Sequence, residues 1–181
     1  MASKRKRDRG PWGDDRYRLI ALGPPGGVTE LPGEDVSLGA REALDSRYTL
    51  VFGERGAGSR GFVEWWCGVL DRKDGPRSWV LARGTSWGLE CQSGSGPEVQ
   101  DGGEKLRAAG EASDPGEGSR LLEDWAARLP GPCTLVIRDF MSLGEERALV
   151  LATSLRRIIE GGRCPELRFL IISTGECVFM D

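Results

Sequence analysis

Short runs of consecutive apolar residues alternate along the chain with segments in which apolar residues recur every three or four positions. The runs at 48–52, 78–82, 133–137 and 167–172 are rich in β-branched and aromatic residues, and they predict buried strands. The shorter run Leu19–Leu22 is a further strand candidate.

Helical spacing of apolar residues predicts three helices between these runs. The first covers residues 60–70, and the second is capped by Ser119 and has Leu121, Leu122, Trp125 and Leu129 on one face. The third opens with a capping box, in which Ser142 and Glu145 satisfy each other's amides, and it ends at Gly161.

Strands that alternate with helices predict an α/β fold, with a mostly parallel sheet of about four to five strands flanked by helices. The length of 181 residues suits one domain, which we expect over 19–181 after a basic flexible tail at 1–18. The tail holds seven basic residues against three acidic ones. An acidic, Gly/Ser-rich segment at 91–118 predicts a flexible surface loop within the domain, with one helical turn near 105–109.

The turn that follows the first buried strand is rich in glycine. Gly53 and Gly58 fall on the two glycines of the pattern G-x-x-x-x-G-K-[ST], and Gly56 adds backbone freedom between them. The segment therefore resembles the phosphate-binding loop of P-loop NTPases of the AAA and RecA type. Ser59 stands where the family has its lysine, and Arg60 stands where the family has its magnesium-binding hydroxyl. The resemblance implies a degenerate nucleotide site at Gly53, Gly56, Gly58 and Ser59.

Two later strands extend the resemblance. Leu135–Asp139 is similar to a Walker B strand, in which the acid orients magnesium, so the resemblance implies Asp139 as a metal-binding residue. Leu170–Thr174 is similar to the strand whose polar end senses the γ-phosphate in some ATPases. Phe140 stands where many of these ATPases carry a catalytic Glu. An Asp after an apolar strand is also a common turn residue or helix cap.

The chemistry that the chain lacks argues against an enzyme. It has no His, which removes the commonest general base and metal ligand, and it has no lysine at the P-loop position. Its five Cys contain no Cys-x-x-Cys pair, so we expect free thiols in a reducing compartment. We expect no resident cofactor, with ATP and magnesium as the alternative. No apolar stretch approaches the roughly 20 residues that cross a bilayer, so no membrane partner is expected.

Basic and aromatic residues indicate the partners. A compact basic run predicts import through importin into the nucleus, with a share of the protein in the cytoplasm, or else an arm that contacts nucleic-acid phosphates. The run consists of Lys4, Arg5, Lys6 and Arg7. Trp12, Trp79 and Trp87 lie beside Gly or Ser, and partly exposed Trp side chains favour a protein interface.

These features leave three hypotheses. The first is a non-catalytic regulatory or adaptor protein that acts in the nucleus by binding another protein. The second is a nucleotide-binding, ATPase-like subunit that a partner completes. The third is a nucleic-acid-binding accessory protein, for example of a virus.

Overall fold

The computed structural model describes residues 17–21, 46–53, 78–94, 103–129 and 131–174. The strands are β1 (Tyr17–Ala21), β2 (Tyr48–Gly53), β3 (Ser78–Thr85), β4 (Gly88–Gly94), β5 (Cys133–Arg138) and β6 (Leu167–Thr174). The described helices are α1 (Gly103–Glu111), α2 (Pro115–Ala126), a 3₁₀ helix (Phe140–Leu143) and α3 (Glu145–Glu160). The helix predicted over 60–70 lies outside the described residues.

The strands form one sheet in the order β1-β2-β6-β5-β3-β4. All neighbours are parallel except β3 and β4, which are antiparallel. The α/β class is confirmed, but the sheet is mixed and has six strands rather than four to five. The additional strand is β4, which the turn at Ser86–Trp87 folds back onto β3. Its sequence of Glu, Gln, Ser and Gly carries almost no apolar signal.

One face of the sheet carries the described core. Helices α1, α2 and α3 pack side by side against it, so the apolar stripe predicted for each of the last two helices is buried. The largest buried side chains come from both layers: Phe140, Phe169, Leu50, Leu89, Leu106, Leu122, Leu135, Ile137, Leu151 and Leu155. The helix-to-sheet contact explains why these segments have helical periodicity.

The other face of the sheet is buried at its centre as well. Val51, Val136, Leu170 and Ile172 alternate with the residues of the first face, and each is at most 2% exposed. Strands buried on both faces have continuous rather than alternating apolar sequences. This is why the central strands could be predicted from short apolar runs.

Helix α2 begins five residues earlier than its sequence suggested. Asp114 is its N-cap, and Oδ1 accepts hydrogen bonds from the amides of Gly116 at 2.8 Å and Glu117 at 3.1 Å. Pro115 follows at the first helical position, where its lack of an amide hydrogen costs nothing. Ser119, the predicted cap, lies inside the helix and donates to the carbonyl oxygen of Gly116. The prediction was wrong because Asp-Pro-Gly also resembles a turn.

The capping box predicted for α3 was also wrong. Ser142 lies in the 3₁₀ helix, and Gly144 is the N-cap of α3, with φ of 87° and no side-chain hydrogen bond. The tight 3₁₀ turn moves Ser142 away from the orphan amides of α3. The predicted end is confirmed, since the helix stops at Glu160 and Gly162 takes a left-handed φ of 62°.

The described part of the predicted loop at 91–118 is ordered secondary structure. Residues 91–94 complete β4, 103–111 form α1, and 115–118 form the first turn of α2. Leu106, Ala109 and Gly110 of α1 are buried, so a short apolar stripe fixes this helix despite its polar composition. The predicted flexible tail is shortened as well, because strand β1 begins at Tyr17.

Candidate functional site

The carboxyl ends of β2, β6, β5 and β3 lie at one edge of the sheet. Along the chain, the step from β2 to β3 crosses the sheet in one direction, and the steps from β4 to β5 and β5 to β6 run in the other. The strand order therefore reverses between β2 and β6. In open α/β sheets, ligands bind outside the carboxyl ends of the strands at such a reversal.

The predicted Gly-rich turn leaves the sheet at this reversal. Gly53, the last residue of β2, pairs with Thr174, the last residue of β6. Asp139 follows β5, two strands from β2 and thus about 10 Å across the sheet. The other predicted loop residues, Gly56, Gly58 and Ser59, lie outside the described residues, as do Trp12 and the basic run at 4–7.

Asp139 has a protein partner for its carboxylate. Its backbone is left-handed, with φ of 51° and ψ of 40°, and its side chain caps no helix amide. Instead, Oδ2 accepts a hydrogen bond of 3.0 Å from Nε of Arg83, at the carboxyl end of β3. The two chain segments are close, because a Cβ on Gly84 would overlap the carbonyl oxygen of Asp139. The carboxylate is thus held towards β3.

A second arginine lies beside this pair. Arg138 of β5 is in direct register with Arg83 of β3. Ala82 and Ile137 belong to the core on the helix-covered face, so alternation puts both arginines on the opposite face. Nε of Arg138 lies 4.0 Å from Oδ2 of Asp139, is itself buried, and has no hydrogen-bond partner within the described part of the chain.

A magnesium ion does not fit Asp139 as it stands. Two guanidinium groups and one carboxylate give the cluster a net charge of +1, whereas Mg²⁺ requires carboxylate, phosphate or water oxygens. The next residue, Phe140, is buried in the core and supplies no carboxylate. Among the described residues, no group of three or more His, Cys, Asp or Glu side chains could hold a metal. The described residues thus provide no second ligand for the metal ion that the resemblance implies at Asp139.

The polar end of β6 lies between the two predicted motifs. Ser173 pairs with Phe52 of β2 and is 1% exposed, and its hydroxyl has no hydrogen-bond partner among the described residues. A buried unsatisfied hydroxyl is uncommon and marks this strand end as unusual. The sequence indicated it only through the similarity of Leu170–Thr174 to a sensor strand.

Trp87 is the most exposed large apolar side chain among the described residues, at 74%. It lies at the turn between β3 and β4. Its exposure agrees with the partial exposure expected from its Ser and Gly neighbours. Trp79 is half-buried in β3, which leaves it a weaker candidate for an interface. Trp125 is buried in the core, as its helical position predicted.

The turn that carries Trp87 is fixed by hydrogen bonds. Oγ1 of Thr85 accepts from the amide of Trp87 at 3.2 Å and donates to the carbonyl oxygen of Gly88 at 3.0 Å. Nη1 of Arg147, from α3, donates to the carbonyl oxygen of Ser86 at 2.7 Å. The tryptophan is therefore presented on a rigid support.

A groove of about 400 Å³ lies beside this turn. It is lined by Thr85, Trp87, Gly88, Leu89, Glu90, Gly103 and Arg107. Strand β4 and helix α1 are close together at Gly88, because a Cβ on this residue would lie 2.7 Å from the carbonyl oxygen of Arg107. Arg107 and Glu90 could not be predicted from the sequence as residues of this groove, because only the folding of α1 against β4 brings them together.

A second cavity of about 360 Å³ opens at the opposite, amino-terminal edge of the sheet. Leu129, Cys133, Cys164 and Leu167 contribute to its lining. Burial raises the pKa of the Cys133 thiol to about 12, so this thiol is a core group rather than a nucleophile. The cavity is at the opposite edge of the sheet from Gly53 and Asp139.

No helix among the described residues has the length and apolar content needed to cross a bilayer. Comparison of the chain with protein-family models, with curated proteins and with solved structures gives no match. The candidate functional features are therefore the carboxyl edge of the sheet and the Trp87 turn.

Proposed function

We propose that the chain is a non-catalytic regulatory or adaptor protein that acts by binding another protein. The observation that carries this proposal is the 74% exposure of Trp87 on a turn fixed by hydrogen bonds. Tryptophan is enriched among the residues that dominate binding energy at protein interfaces. A rigid support also lowers the entropy lost when the side chain is bound.

The surroundings of Trp87 favour a protein partner over a polyanion. Strand β4 is the last strand of the sheet within the described part of the chain, and one row of its amide and carbonyl groups points away from β3. The adjoining groove contains both charges, Glu90 and Arg107, and Arg107 is paired with Glu111 at 3.2 Å. An aromatic anchor beside a strand edge suits an extended protein segment.

The hydrogen bond between Arg83 and Asp139 supports the absence of catalysis. A metal ion at Asp139 would have to displace Arg83 and approach two guanidinium groups. We propose that a degenerate P-loop-like scaffold has kept its architecture for binding and does not hydrolyse nucleotide.

The decisive experiment compares partner capture by two single variants. Proteins retained from nuclear extract by the wild-type chain are identified and their affinities measured with purified partner. Trp87→Ala should weaken binding about 30-fold, as expected for a dominant interface residue. The matched control is Leu149→Ala, which removes the other exposed large apolar side chain, 54% exposed on α3. Equal losses in both variants, or none in Trp87→Ala, would reject the proposed surface.

We further propose that the basic run Lys4–Arg7 directs the protein to the nucleus. A fluorescent fusion of the full chain should accumulate in nuclei. Replacing all four bases with Ala should distribute it evenly, whereas Arg9→Ala, outside the run, should leave it nuclear. If the variant with all four bases replaced still accumulates in nuclei, this run does not direct import. That result would leave the binding proposal unchanged.

A further inference from the structure

Two arginines in register on neighbouring strands repel each other unless an anion lies between them. Arg83 and Arg138 are such a pair, on adjacent parallel strands whose axes lie about 5 Å apart. The carboxylate of Asp139 compensates one of the two charges, and it does so mainly for Arg83. The cluster keeps one positive charge for which the described structure provides no counter-ion.

Arg138 holds the uncompensated donor. Its Nε is buried, and the nearest carboxylate oxygen is 4.0 Å away, beyond hydrogen-bonding distance. A buried, charged donor without an acceptor is costly, and native structures usually provide a partner for such groups. The side chain as a whole is 31% exposed, so part of it faces solvent.

The position of the cluster indicates what the partner would be. It lies at the carboxyl edge of the sheet. Strand β5, which carries Arg138, is the neighbour of β6 at the reversal of strand order, and β3 is one strand further away. Ligands of open α/β sheets bind at this edge. A guanidinium group presents parallel donors that match the oxygens of phosphate, and a net charge of +1 attracts an anion.

We propose that Arg138, with Arg83 beside it, binds the oxyanion of a phosphate-bearing small ligand at this edge. Arg138 donates through its guanidinium group, and Arg83 adds the terminal nitrogens that its bond to Asp139 does not use. Asp139 is a built-in competitor, because its carboxylate occupies Nε of Arg83. The site needs neither a P-loop lysine nor a metal ion, and it goes beyond the protein-binding function proposed above.

The charge of Asp139 provides a test in which a substitution should strengthen phosphate binding rather than weaken it. Asp139→Asn keeps the side-chain shape and tolerates the left-handed backbone, but it raises the cluster charge from +1 to +2. Phosphate should then bind about 3- to 10-fold more tightly, as expected for removing one negative charge about 5 Å away. A magnesium-dependent nucleotide site would respond in the opposite way.

The measurement is an NMR titration of the arginine Nε–H resonances with sodium phosphate, against sodium chloride at equal ionic strength. A saturable shift that phosphate causes and chloride does not separates binding from the general stabilisation that phosphate gives proteins. The shift should disappear in Arg138→Gln, weaken in Arg83→Gln and persist in Arg128→Gln, which changes an exposed arginine at the end of α2. Thermal melts without phosphate verify that each variant is folded.

A parallel titration with AMP identifies the source of the oxyanion. Tighter binding of AMP than of phosphate, with both dependent on Arg138, assigns the site to a nucleotide phosphate. Equal affinities assign it to free phosphate. A wild-type protein that saturates with neither ligand, a shift that survives Arg138→Gln, or weaker binding in Asp139→Asn would overturn the proposal.

Discussion

Nε of Arg83 donates a hydrogen bond of 3.0 Å to Oδ2 of Asp139, and this contact joins two residues that are 56 positions apart in the chain. Both side chains are more than a third exposed, so the contact adds little to stability. Its consequence is chemical. The acid that the sequence suggested as a metal ligand is neutralised by the neighbouring strand.

Restoring the P-loop residues should therefore not restore catalysis. The double variant Ser59→Lys with Arg60→Thr supplies the missing ammonium and hydroxyl groups. It leaves Asp139 bound to Arg83, and it leaves buried Phe140 where a catalytic Glu would stand. We expect phosphate release from ATP and magnesium to stay at the level of the wild-type protein. Turnover above that level would contradict the account of which catalytic parts are absent.

The central strands could be predicted because burial on both faces leaves a local trace in the sequence. Val51, Val136 and Ile172 belong to apolar runs in which residues that face either side of the sheet are buried. These strands could be predicted without knowing which strands pair with one another. For the same reason the boundaries were accurate to a few residues at β2, β5 and β6.

Features that depend on tertiary contacts were missed, as β4 was, or predicted only in part, as α1 was by the expected helical turn near 105–109. Strand β4 is an edge strand that is apolar only at Leu89 and Cys91, and α1 shows only a short stripe around Leu106. Packing against each other stabilises both elements, and neither has a strong local signal. The hydrogen-bond partner of Asp139 could not be predicted either, because only the register of β3 with β5 brings Arg83 close to it.

The contact between α2 and α3 depends on the absence of a side chain at Gly118. A Cβ there would overlap Oγ of Ser154 and lie 3.1 Å from its Cβ. Gly118→Ala should lower the free energy of unfolding by about 1–3 kcal/mol, although Ala is the better helix former. Chemical denaturation measures this change.

Two comparisons isolate the steric cause. Ser154→Gly removes the clashing atoms, so Gly118→Ala should cost much less in that background. Gly103→Ala has no atom within 4 Å of the new Cβ and should change stability by less than about 0.5 kcal/mol. A cost at Gly118 that is the same in both backgrounds would mean that the helices do not meet here.

Asp114 should be important for the start of α2. Its carboxylate accepts from two amides that the helix leaves without partners. Asp114→Ala should cost about 0.5–2 kcal/mol of unfolding free energy, whereas Asp114→Asn keeps an acceptor and should cost less. If both variants were as stable as the wild type, the helix would begin elsewhere, for example at the sequence-predicted Ser119.

Stability should fall in alkaline solution because of Cys133. Burial raises the pKa of its thiol from 9.0 to about 12, so the folded protein keeps a proton that the unfolded chain loses above pH 9. Between pH 9 and about 12 the unfolded state binds fewer protons, and the free energy of unfolding decreases by up to about 1.4 kcal/mol per pH unit. Below pH 9 both states hold the proton, and the residue adds no pH dependence.

The test is the difference between wild type and Cys133→Ala in urea denaturation at pH 8, 9 and 10. The substitution lowers stability at every pH because it leaves a small cavity, but it should flatten the decrease above pH 9. Cys91→Ala is the matched control: burial also raises the pKa of that thiol, but Cys91 is only half-buried, so removing it should change the slope less. Parallel curves for wild type and Cys133→Ala would show that this thiol is accessible to solvent in the folded protein.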